Sequence, residues 1–342
     1  SYISEDGITW NTFGTELDTP SKIIYNEKLG IFISISQTIK TSTDGSIWNN
    51  SDYNENIGLS DIIYVEEIGL FLAVGARGIV IQTINGLNWE VNNIGMENIG
   101  DSQFSKIAYS TKRNIYVGTG NGHLYRSLDG VKWEKTIDQT AYDIIYVAAL
   151  DLFVLVYSVI LISQDGLSWE NVSPAGSWVM NNVIYIEEKK ILLAAGGTYN
   201  NGNTFSSSDG RNWSRSWSFG QTIANCTCYS PIDRSYYAYN STSIYESTFG
   251  ERWNYLKSIS YSIIEIVYIN RLKMFLGITS NRQLIYSNDA KNWEILFTSD
   301  YDFTKLLWCE EIGRFIIVGR DNDPYSACFI IGTGLNDIKI YT

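Results

Sequence analysis

Acidic residues, one histidine and four cysteines are the side chains through which this chain could perform catalysis or bind a metal. Glycoside hydrolysis requires two carboxylates that flank the bond to be cleaved. Adjacent glutamates do occur, but they recur at one position of a repeating pattern, which favours solvent-exposed hairpin turns: Glu66/Glu67, Glu187/Glu188 and Glu310/Glu311. A hydrolase would instead use acids outside that position, such as Asp52, Asp321 or Asp323, and no pattern distinguishes these three.

The only histidine, His123, lies in the segment GTGNGHLY. Nucleophilic catalysis would pair it with a serine or cysteine, and the chain has neither a Gly-x-Ser-x-Gly segment nor a cysteine beside it. Cys226 and Cys228 form a C-x-C pattern, which places both on one face of a strand as small apolar residues. The sequence therefore predicts no catalytic residue, no metal and no cofactor, and it favours a protein that is not an enzyme.

The charge of the chain limits its partners. Its 342 residues carry a formal net charge of −12 without any run of Lys or Arg, and such a field repels a phosphate backbone. We therefore expect no nucleic-acid partner. No stretch approaches the roughly 18 consecutive apolar residues of a membrane-spanning helix, so we expect no membrane insertion. The chain begins with Ser1, which indicates a processed chain or a piece of a longer one.

An internal repeat of about 40 residues organises the chain. Its first landmark is a tryptophan that follows a short turn segment such as STDGSIW or SLDGVKW, at Trp10, Trp48, Trp89, Trp133, Trp169, Trp213, Trp253 and Trp293. Its second landmark is an aromatic residue that ends a short apolar run, at Tyr25, Tyr64, Tyr109, Tyr146, Tyr185, Tyr229, Tyr268 and Trp308. An alternating run such as LFLAVG then follows.

Each repeat has four apolar or alternating segments of about five residues, a length typical of β-strands. Segments of this length are too short to be the helices that a parallel α/β fold requires. Four short strands per repeat predict the blade of a β-propeller. We therefore predict an all-β chain, a single closed β-propeller of about eight four-stranded blades, with seven as the alternative. The predicted blades cover approximately 14–53, 54–94, 95–137, 138–174, 175–218, 219–257, 258–298, and 299–342 closed with 1–13. The tail FIIGTGLNDIKIYT also has the pattern of two strands, so a blade formed by the tail alone stays open.

The Asp-Gly turns have a local physical reason. An aspartate can accept hydrogen bonds from the backbone N–H groups that follow it, and the next glycine tolerates a positive φ. Turns of this kind are predicted at Asp6, Asp44, Asp129, Asp165, Asp209 and Asp289. Phe249 replaces the aspartate of one turn and Ala290 the glycine of another, so we expect these two turns to be the least regular.

These turn segments resemble the Asp-box, or BNR repeat, of sialidase-type propellers over nearly the whole chain. One departure is that glycine directly follows aspartate here, whereas the family usually has a residue between them. The resemblance implies that the boxes are structural and lie opposite the binding face. It does not favour sialidase activity, because the Arg-Ile-Pro segment is missing and sialidase propellers have six blades. The resemblance is closest to non-enzymatic bacterial or phage surface proteins.

Propellers usually bind ligands on the face formed by their second-to-third and fourth-to-first strand connections, which is an expectation from the fold. The candidate ligand-binding residues in these connections are Arg77, His123, Trp178, Tyr199, Asn201, Trp217, Arg282, Tyr301, Arg320 and Asp321. Such side chains suit a sugar-stacking surface or a protein hot spot, and they equally suit the filling of gaps between blades. The irregular loops 196–203 and 319–327 are the preferred candidates.

The sequence thus favours a non-catalytic recognition module for a cell-surface glycan or a protein. We expect it to be extracellular or virion-associated, within a larger assembly such as a bacterial or phage surface or tail protein, with a cytoplasmic location as the alternative. Two other functions stay open. One is a glycoside hydrolase with acids at the propeller mouth, and the other is a protein-assembly scaffold.

Overall fold

The computed structural model describes residues 2–3, 11–12, 20–45, 47–53, 55, 57–92, 103–176, 179–187, 189–198, 201–215, 226–240, 242–248, 253–270, 272–299, 302–309, 314–320, 327–332 and 338–341. Within these residues the strands form eight four-stranded sheets and one two-stranded sheet. In every four-stranded sheet the strands follow one another in chain order. Each repeat therefore folds as one meander.

The chain divides into two compact units, of which the first comprises residues 1–32, 42–49 and 224–342 and the second comprises 33–41 and 50–223. The sequence predicts eight blades, with seven as the alternative. Seven of the four-stranded sheets lie entirely within one unit or the other. The remaining one, sheet 1, contains β3 (Lys22–Asn26), β4 (Ile31–Ile35), β5 (Ile39–Ser42) and β6 (Asn49–Asn50).

The second unit contains four complete sheets. Sheet 2 is β7 (Leu59–Val65), β8 (Leu70–Gly75), β9 (Val80–Thr83) and β10 (Glu90–Asn92), with a 3₁₀ turn at Ala76–Gly78; sheet 3 is β11 (Lys106–Ser110), β12 (Ile115–Gly120), β13 (His123–Ser127) and β14 (Trp133–Asp138). Sheet 4 is β15 (Asp143–Val147), β16 (Leu152–Val156), β17 (Ile160–Ser163) and β18 (Glu170–Asn171); sheet 5 is β19 (Met180–Ile186), β20 (Ile191–Thr198), β21 (Asn201–Ser207) and β22 (Ser214–Arg215). The first strands of neighbouring sheets pack side by side.

The first unit contains three complete four-stranded sheets and a short pair, β1 (Tyr2–Ile3) with β2 (Asn11–Thr12). Sheet 6 is β23 (Cys226–Ser230), β24 (Ser235–Tyr239), β25 (Ser243–Ser247) and β26 (Asn254–Ser258). Sheet 7 is β27 (Ile263–Ile269), β28 (Met274–Thr279), β29 (Gln283–Ser287) and β30 (Glu294–Thr298). Sheet 8 is β31 (Asp302–Cys309), β32 (Arg314–Arg320), β33 (Ala327–Gly332) and β34 (Ile338–Tyr341). Here too the first strands of consecutive sheets are in contact.

Apolar layers between neighbouring sheets form the core. Between sheets 2 and 3, the buried side chains of Leu72 and Val74 meet those of Phe104, Tyr116 and Trp133. Alternation along each strand sends one set of side chains to each neighbour, so middle strands such as β8, β12 and β16 are buried on both faces. Similar layers join sheets 3 and 4, 4 and 5, 6 and 7, and 7 and 8. The repeat tryptophans Trp133, Trp169, Trp213 and Trp293 thus pack in the layers between two sheets.

The Asp-Gly turns have the predicted hydrogen bonds. Oδ1 of Asp129 accepts from the backbone N–H groups of Val131 (2.8 Å) and Lys132 (2.7 Å), and Gly130 has φ +73°. The Ser127 hydroxyl donates to the same carboxylate (3.0 Å). The turns at Asp44, Asp165 and Asp209 also accept backbone N–H groups in this way. Asp6 and Phe249 lie outside the described residues.

The expectation of an irregular turn at Ala290 is wrong. Ala290 adopts φ +59°, and the carboxylate of Asp289 accepts from the N–H groups of Lys291 (2.8 Å) and Asn292 (2.7 Å). Trp293 Nε1 donates to the Ala290 carbonyl (3.2 Å), as the other box tryptophans do to their glycine. These hydrogen bonds and the buried position of Ala290 hold the alanine in a conformation that costs it energy.

The prediction that residues 1–13 supply the last strands of the final blade differs from the structure. Residues 327–332 and 338–341 pair with each other, and the former pairs with Arg314–Arg320, so the tail completes sheet 8 by itself. The N-terminal strands pair with each other, and Tyr2–Ile3 lies beside Ile338–Tyr341. Short connections explain this pairing, because joining strands that are adjacent in sequence closes a much shorter loop.

Candidate functional site

The structure describes the side chains of three predicted site residues, Arg77, His123 and Arg282. Asn201 and Arg320 are described as strand residues at the ends of β21 and β32, without their side chains. The others lie outside the described residues: Trp178, Tyr199, Trp217, Tyr301 and Asp321. Of the two preferred loops, residues 199–200 and 321–326 also lie outside the described residues, whereas 196–198 and 201–203 are not irregular loop but the paired ends of β20 and β21.

His123 belongs to a small charged cluster on sheet 3. It begins β13 directly opposite Asp138, the last residue of β14. Its Nδ1 lies 2.7 Å from Oδ1 of Asp138, and Lys135 Nζ lies 2.5 Å from the same oxygen. The lysine and then the histidine lower the pKa of the Asp138 carboxyl. In the described contacts, the cluster is therefore a carboxylate held between a histidine and a lysine, where β13 begins and β14 ends.

Arg282 in the first unit is also held by a carboxylate. Its backbone is left-handed at φ +62°, and its Nε donates to Oδ1 of Asp302 at 2.8 Å. Arg77 in the second unit is exposed and left-handed too, at φ +56° within the 3₁₀ turn of sheet 2. Both arginines therefore occupy tight turns between a second and a third strand, as the sequence predicts.

A pair of tyrosines that the sequence analysis did not select lies on sheet 4. The rings of Tyr142 and Tyr157 meet edge to face with their centroids 4.6 Å apart. Tyr142 is 47% exposed and ends the connection into sheet 4, whereas Tyr157 follows its second strand. Aromatic pairs that leave ring surface in solvent are typical of binding surfaces.

Both tyrosines break the repeat. At the end of the second strand, where sheet 4 has Tyr157, the other sheets of the second unit have Gly75, Gly120 and Gly196. A Cβ atom at these glycines would lie 2.2, 1.8 and 2.1 Å from a backbone carbonyl oxygen of the incoming chain. Tyr142 similarly stands where those sheets have Ser60, Ser105 and Asn181. An alignment of the repeats would have revealed both positions.

The connection into sheet 4 that carries Tyr142 passes close to the turn that leads to His123. The turn that ends at His123 includes Gly122, and a Cβ atom there would be 3.6 Å from the hydroxyl of Thr140, two residues before Tyr142. We call Tyr142, Tyr157, His123 and Asp138 the tyrosine face. It combines exposed aromatic surface with a charged pair on adjacent sheets of the second unit.

Carboxylates that are buried or half-buried join neighbouring sheets, and the sequence analysis did not select them. Asp61 of sheet 2 accepts the N–H of Ile107 in sheet 3 (2.9 Å), and Asp143 of sheet 4 accepts the N–H of Val183 in sheet 5 (3.1 Å). In the first unit, Glu265 of sheet 7 accepts the N–H of Leu306 in sheet 8 (2.6 Å). All three precede the landmark Tyr by three residues, which is the signal that could have identified them. Because their oxygens already accept backbone hydrogen bonds, these acids stabilise the sheet array.

Cys226 and Cys228 lie on one face of β23 with free thiols. Burial raises the pKa of the Cys228 thiol to about 12 and that of Cys226 well above its ordinary value, so both stay protonated and unreactive at neutral pH. Within the described part of the chain, no group of three or more His, Cys, Asp or Glu side chains is arranged to hold a metal ion.

Comparison with known proteins identifies the fold. No family model and no curated protein matches the sequence. Among solved structures, the Dos1 propeller matches with a TM-score of 0.68 at 11% identity, covering 96% of this chain and 93% of that one. The C-terminal WD40 domain of Sif2 matches with 0.65 at 9% identity, covering 95% and 96%. Chaetomium thermophilum Sqt1, bound to the N-terminus of ribosomal protein L10, matches with 0.63 at 9% identity, covering 99% and 98%.

The chain therefore has the β-propeller fold, built from four-stranded antiparallel sheets. This confirms the predicted all-β propeller class. The described residues contain no helix of the length and apolarity needed to cross a membrane.

Proposed function

We propose that this chain is a non-catalytic recognition module that binds a segment of another protein on the tyrosine face. The tyrosine pair is the observation that supports this most directly. Tyr142 and Tyr157 occupy positions where the neighbouring sheets have small residues, so the repeat does not need them for its packing. Tyrosine is enriched at the energetic centres of protein interfaces, because its ring supplies large contact area with few rotatable bonds.

The charged part of the face supports the same function. His123 and Asp138 hold each other near the connection that carries Tyr142, and both remain in contact with solvent. A polar rim around an aromatic centre is the usual anatomy of a protein interface. The solved structure of the similar propeller Sqt1 contains a bound N-terminal segment of another protein, which supports a peptide-sized ligand.

The Asp-box-like repeat supports a proposal about context. We propose that the chain acts at the surface of a bacterium or phage, outside the cell, as part of a larger protein. A cell-surface glycan is the alternative ligand for the tyrosine face, because tyrosine rings also stack on sugars. Peptide selection with a glycan array in parallel distinguishes the two ligands.

Selection from a random-peptide display library, with a glycan array in parallel, tests this function. We expect a family of related peptides to be selected. The double variant Tyr142→Ala/Tyr157→Ala should bind the selected peptide at least about tenfold more weakly, which is the size of a hot-spot loss. Isothermal titration calorimetry with the synthetic peptide measures the change.

Tyr255→Ala is the matched control. Tyr255 is 58% exposed and meets Tyr245 edge to face at 5.9 Å, so it resembles Tyr142 in exposure and pairing but lies on sheet 6. It should leave peptide binding unchanged. Specific glycan binding without selected peptides would contradict the proposal, and so would equal peptide binding by the double variant and the wild type.

A further inference from the structure

A groove in the first unit separates the outer strand of sheet 6 from the box turn of sheet 7. Its volume is about 560 Å³, and Lys257, Ile259, Tyr261, Asn292 and Trp293 line it. We call it the outer groove. Small-molecule sites in proteins have volumes of roughly 300–1,000 Å³, so one or two sugar rings would fit.

One of the cations that line the groove, Lys291, turns toward the inner part of sheet 6. In sheet 5 of the second unit, Arg211 follows the box glycine and pairs with Glu170 on the outer strand of the preceding sheet. Lys291 has the same repeat position in sheet 7, but its Nζ lies 3.2 Å from Asp233 and 3.3 Å from Glu246. Both acids belong to inner parts of sheet 6. The outer strand β26 is therefore not bridged by this residue.

Lys257 places an unneutralised charge in the groove. Its Nζ donates to Oδ1 of Asn292 at 2.6 Å, and Nδ2 of Asn292 donates to Asp289 at 2.7 Å, which fixes the orientation of the amide. No carboxylate lines the groove, and none of the described ion pairs involves Lys257. The ammonium of Lys257 is a local site for an anion in a chain whose overall charge of −12 disfavours anions. The remaining N–H groups of Lys257 can donate to a ligand carboxylate.

Tyr261 and Trp293 are half-buried against the core between sheets 6 and 7, and the polar ends of both side chains are already hydrogen-bonded. The Tyr261 hydroxyl donates to the Trp293 carbonyl (3.4 Å), and Trp293 Nε1 donates to the Ala290 carbonyl (3.2 Å). Burial raises the pKa of Tyr261, so its ring is uncharged at neutral pH. With these polar ends satisfied, the rings can pack against the C–H face of a sugar ring.

We propose that the outer groove binds an acidic saccharide, a hexuronate residue whose carboxylate pairs with Lys257 while its ring packs on Tyr261 and Trp293. The serine hydroxyls of the β26 connection, Ser258 and Ser260, line the same groove and supply partners for sugar hydroxyls. This site is independent of the tyrosine face, because the two share no residue and lie in different units. Either proposal can fail without the other.

Titration of the folded chain with D-glucuronate, and with D-glucose as the neutral match, tests the proposal by ligand-observed NMR. We expect glucuronate to bind at least tenfold more tightly than glucose, with a preference that weakens as salt screens Lys257. Lys257→Met should abolish the preference, and Tyr261→Ala should weaken both sugars. Lys132→Met is the control, because Lys132 is an exposed box lysine of sheet 3 and its loss should change nothing.

Three results would overturn the assignment. The first is that neither sugar binds to the folded wild-type chain, whose circular dichroism and thermal unfolding are measured alongside. The second is that Lys257→Met binds glucuronate as the wild type does. The third is that N-acetylglutamate binds as tightly as glucuronate, which would show that the groove recognises a carboxylate alone and not a saccharide.

Discussion

The box aspartates form their hydrogen bonds with residues that lie next to them in sequence. Oδ1 of Asp209 accepts from the N–H groups of Arg211 (2.8 Å) and Asn212 (2.7 Å) and from the Ser207 hydroxyl (3.0 Å). These hydrogen bonds lower the pKa of the Asp209 carboxyl, and the one from the backbone N–H of Asn212 has the largest effect. All of its partners lie within three residues, so the segment SSDGRNW specifies the turn without information from the rest of the fold.

Replacing Asp209 with alanine should therefore cost stability, and replacing it with asparagine should cost much less. The alanine leaves two turn N–H groups without their acceptor, which is worth about 1 kcal/mol at an exposed cap-like position. Asparagine keeps an acceptor. Asn85 in sheet 2 already accepts from Leu87 (2.9 Å) and Asn88 (3.0 Å) in this way. Urea unfolding of the three proteins measures the difference, and equal losses in both variants would refute this role of the carboxylate.

At the scale of elements, contacts between strands that are distant in sequence could not be predicted. The repeat pattern predicted the order of strands, because hydrophobic alternation and turn residues are local signals. It did not predict that Asp61 would accept the N–H of Ile107, 46 residues away. Nor did it select Tyr142 and Tyr157, because their meaning depends on which residues neighbouring sheets have at the same position. Such information comes from the repeats compared with one another.

The glycine that ends β8 shows how tightly a second strand packs against the chain entering its own sheet. A Cβ atom on Gly75 would lie 2.2 Å from the Gly58 carbonyl oxygen and 2.7 Å from the Leu59 Cα atom. Both contacts are with backbone, which cannot rotate away. At Gly58 itself, a Cβ atom would meet nothing within 4 Å.

We expect Gly75→Ala to destabilise the chain by about 3 kcal/mol, the upper part of the usual range for overpacking, and Gly58→Ala to change stability by less than about 0.5 kcal/mol. Gly58 and Gly75 contact each other, so both substitutions probe the same part of the structure. They differ only in whether there is room for the added methyl group. Urea unfolding followed by tryptophan fluorescence gives both values. A Gly75→Ala protein as stable as Gly58→Ala would show that the incoming chain is free to move.

For the whole molecule, the fold was predictable and the position of the chain ends was not. Eight copies of one turn and one tryptophan specify a repeating four-stranded sheet, and each copy adds independent support. The tail has no such turn or tryptophan. Its assignment to sheet 8 follows from strand pairing between residues 314–320, 327–332 and 338–341. A repeat that lacks the Asp-Gly turn and the tryptophan can still form its strands. Backbone pairing depends less on the identity of the side chains than on the alternation of apolar and polar residues.

Box carboxylates distributed over both units make the stability of the molecule depend on pH. Partial burial raises the pKa of Asp129, Asp165 and Asp289, but hydrogen bonds from the turns outweigh it, so each pKa lies below its ordinary value, as does that of Asp209. Their stabilisation is therefore complete above the unfolded-state pKa of about 3.9 and is lost as the pH falls through the lower folded-state values. Asp143 acts in the opposite direction, because burial raises its pKa despite the N–H of Val183.

Four box carboxylates against one buried acid predict a net loss of stability on acidification. We expect the urea midpoint of the wild-type chain to fall steadily from about pH 5 to about pH 2. A quadruple variant with asparagine at 129, 165, 209 and 289 keeps the turn acceptors but has no charge to titrate there, so its midpoint should fall less. Asp143→Asn should act oppositely: it removes the group that favours the folded state at low pH, so its midpoint should fall more steeply. Parallel curves for the wild type and the quadruple variant would place the acid sensitivity outside the boxes.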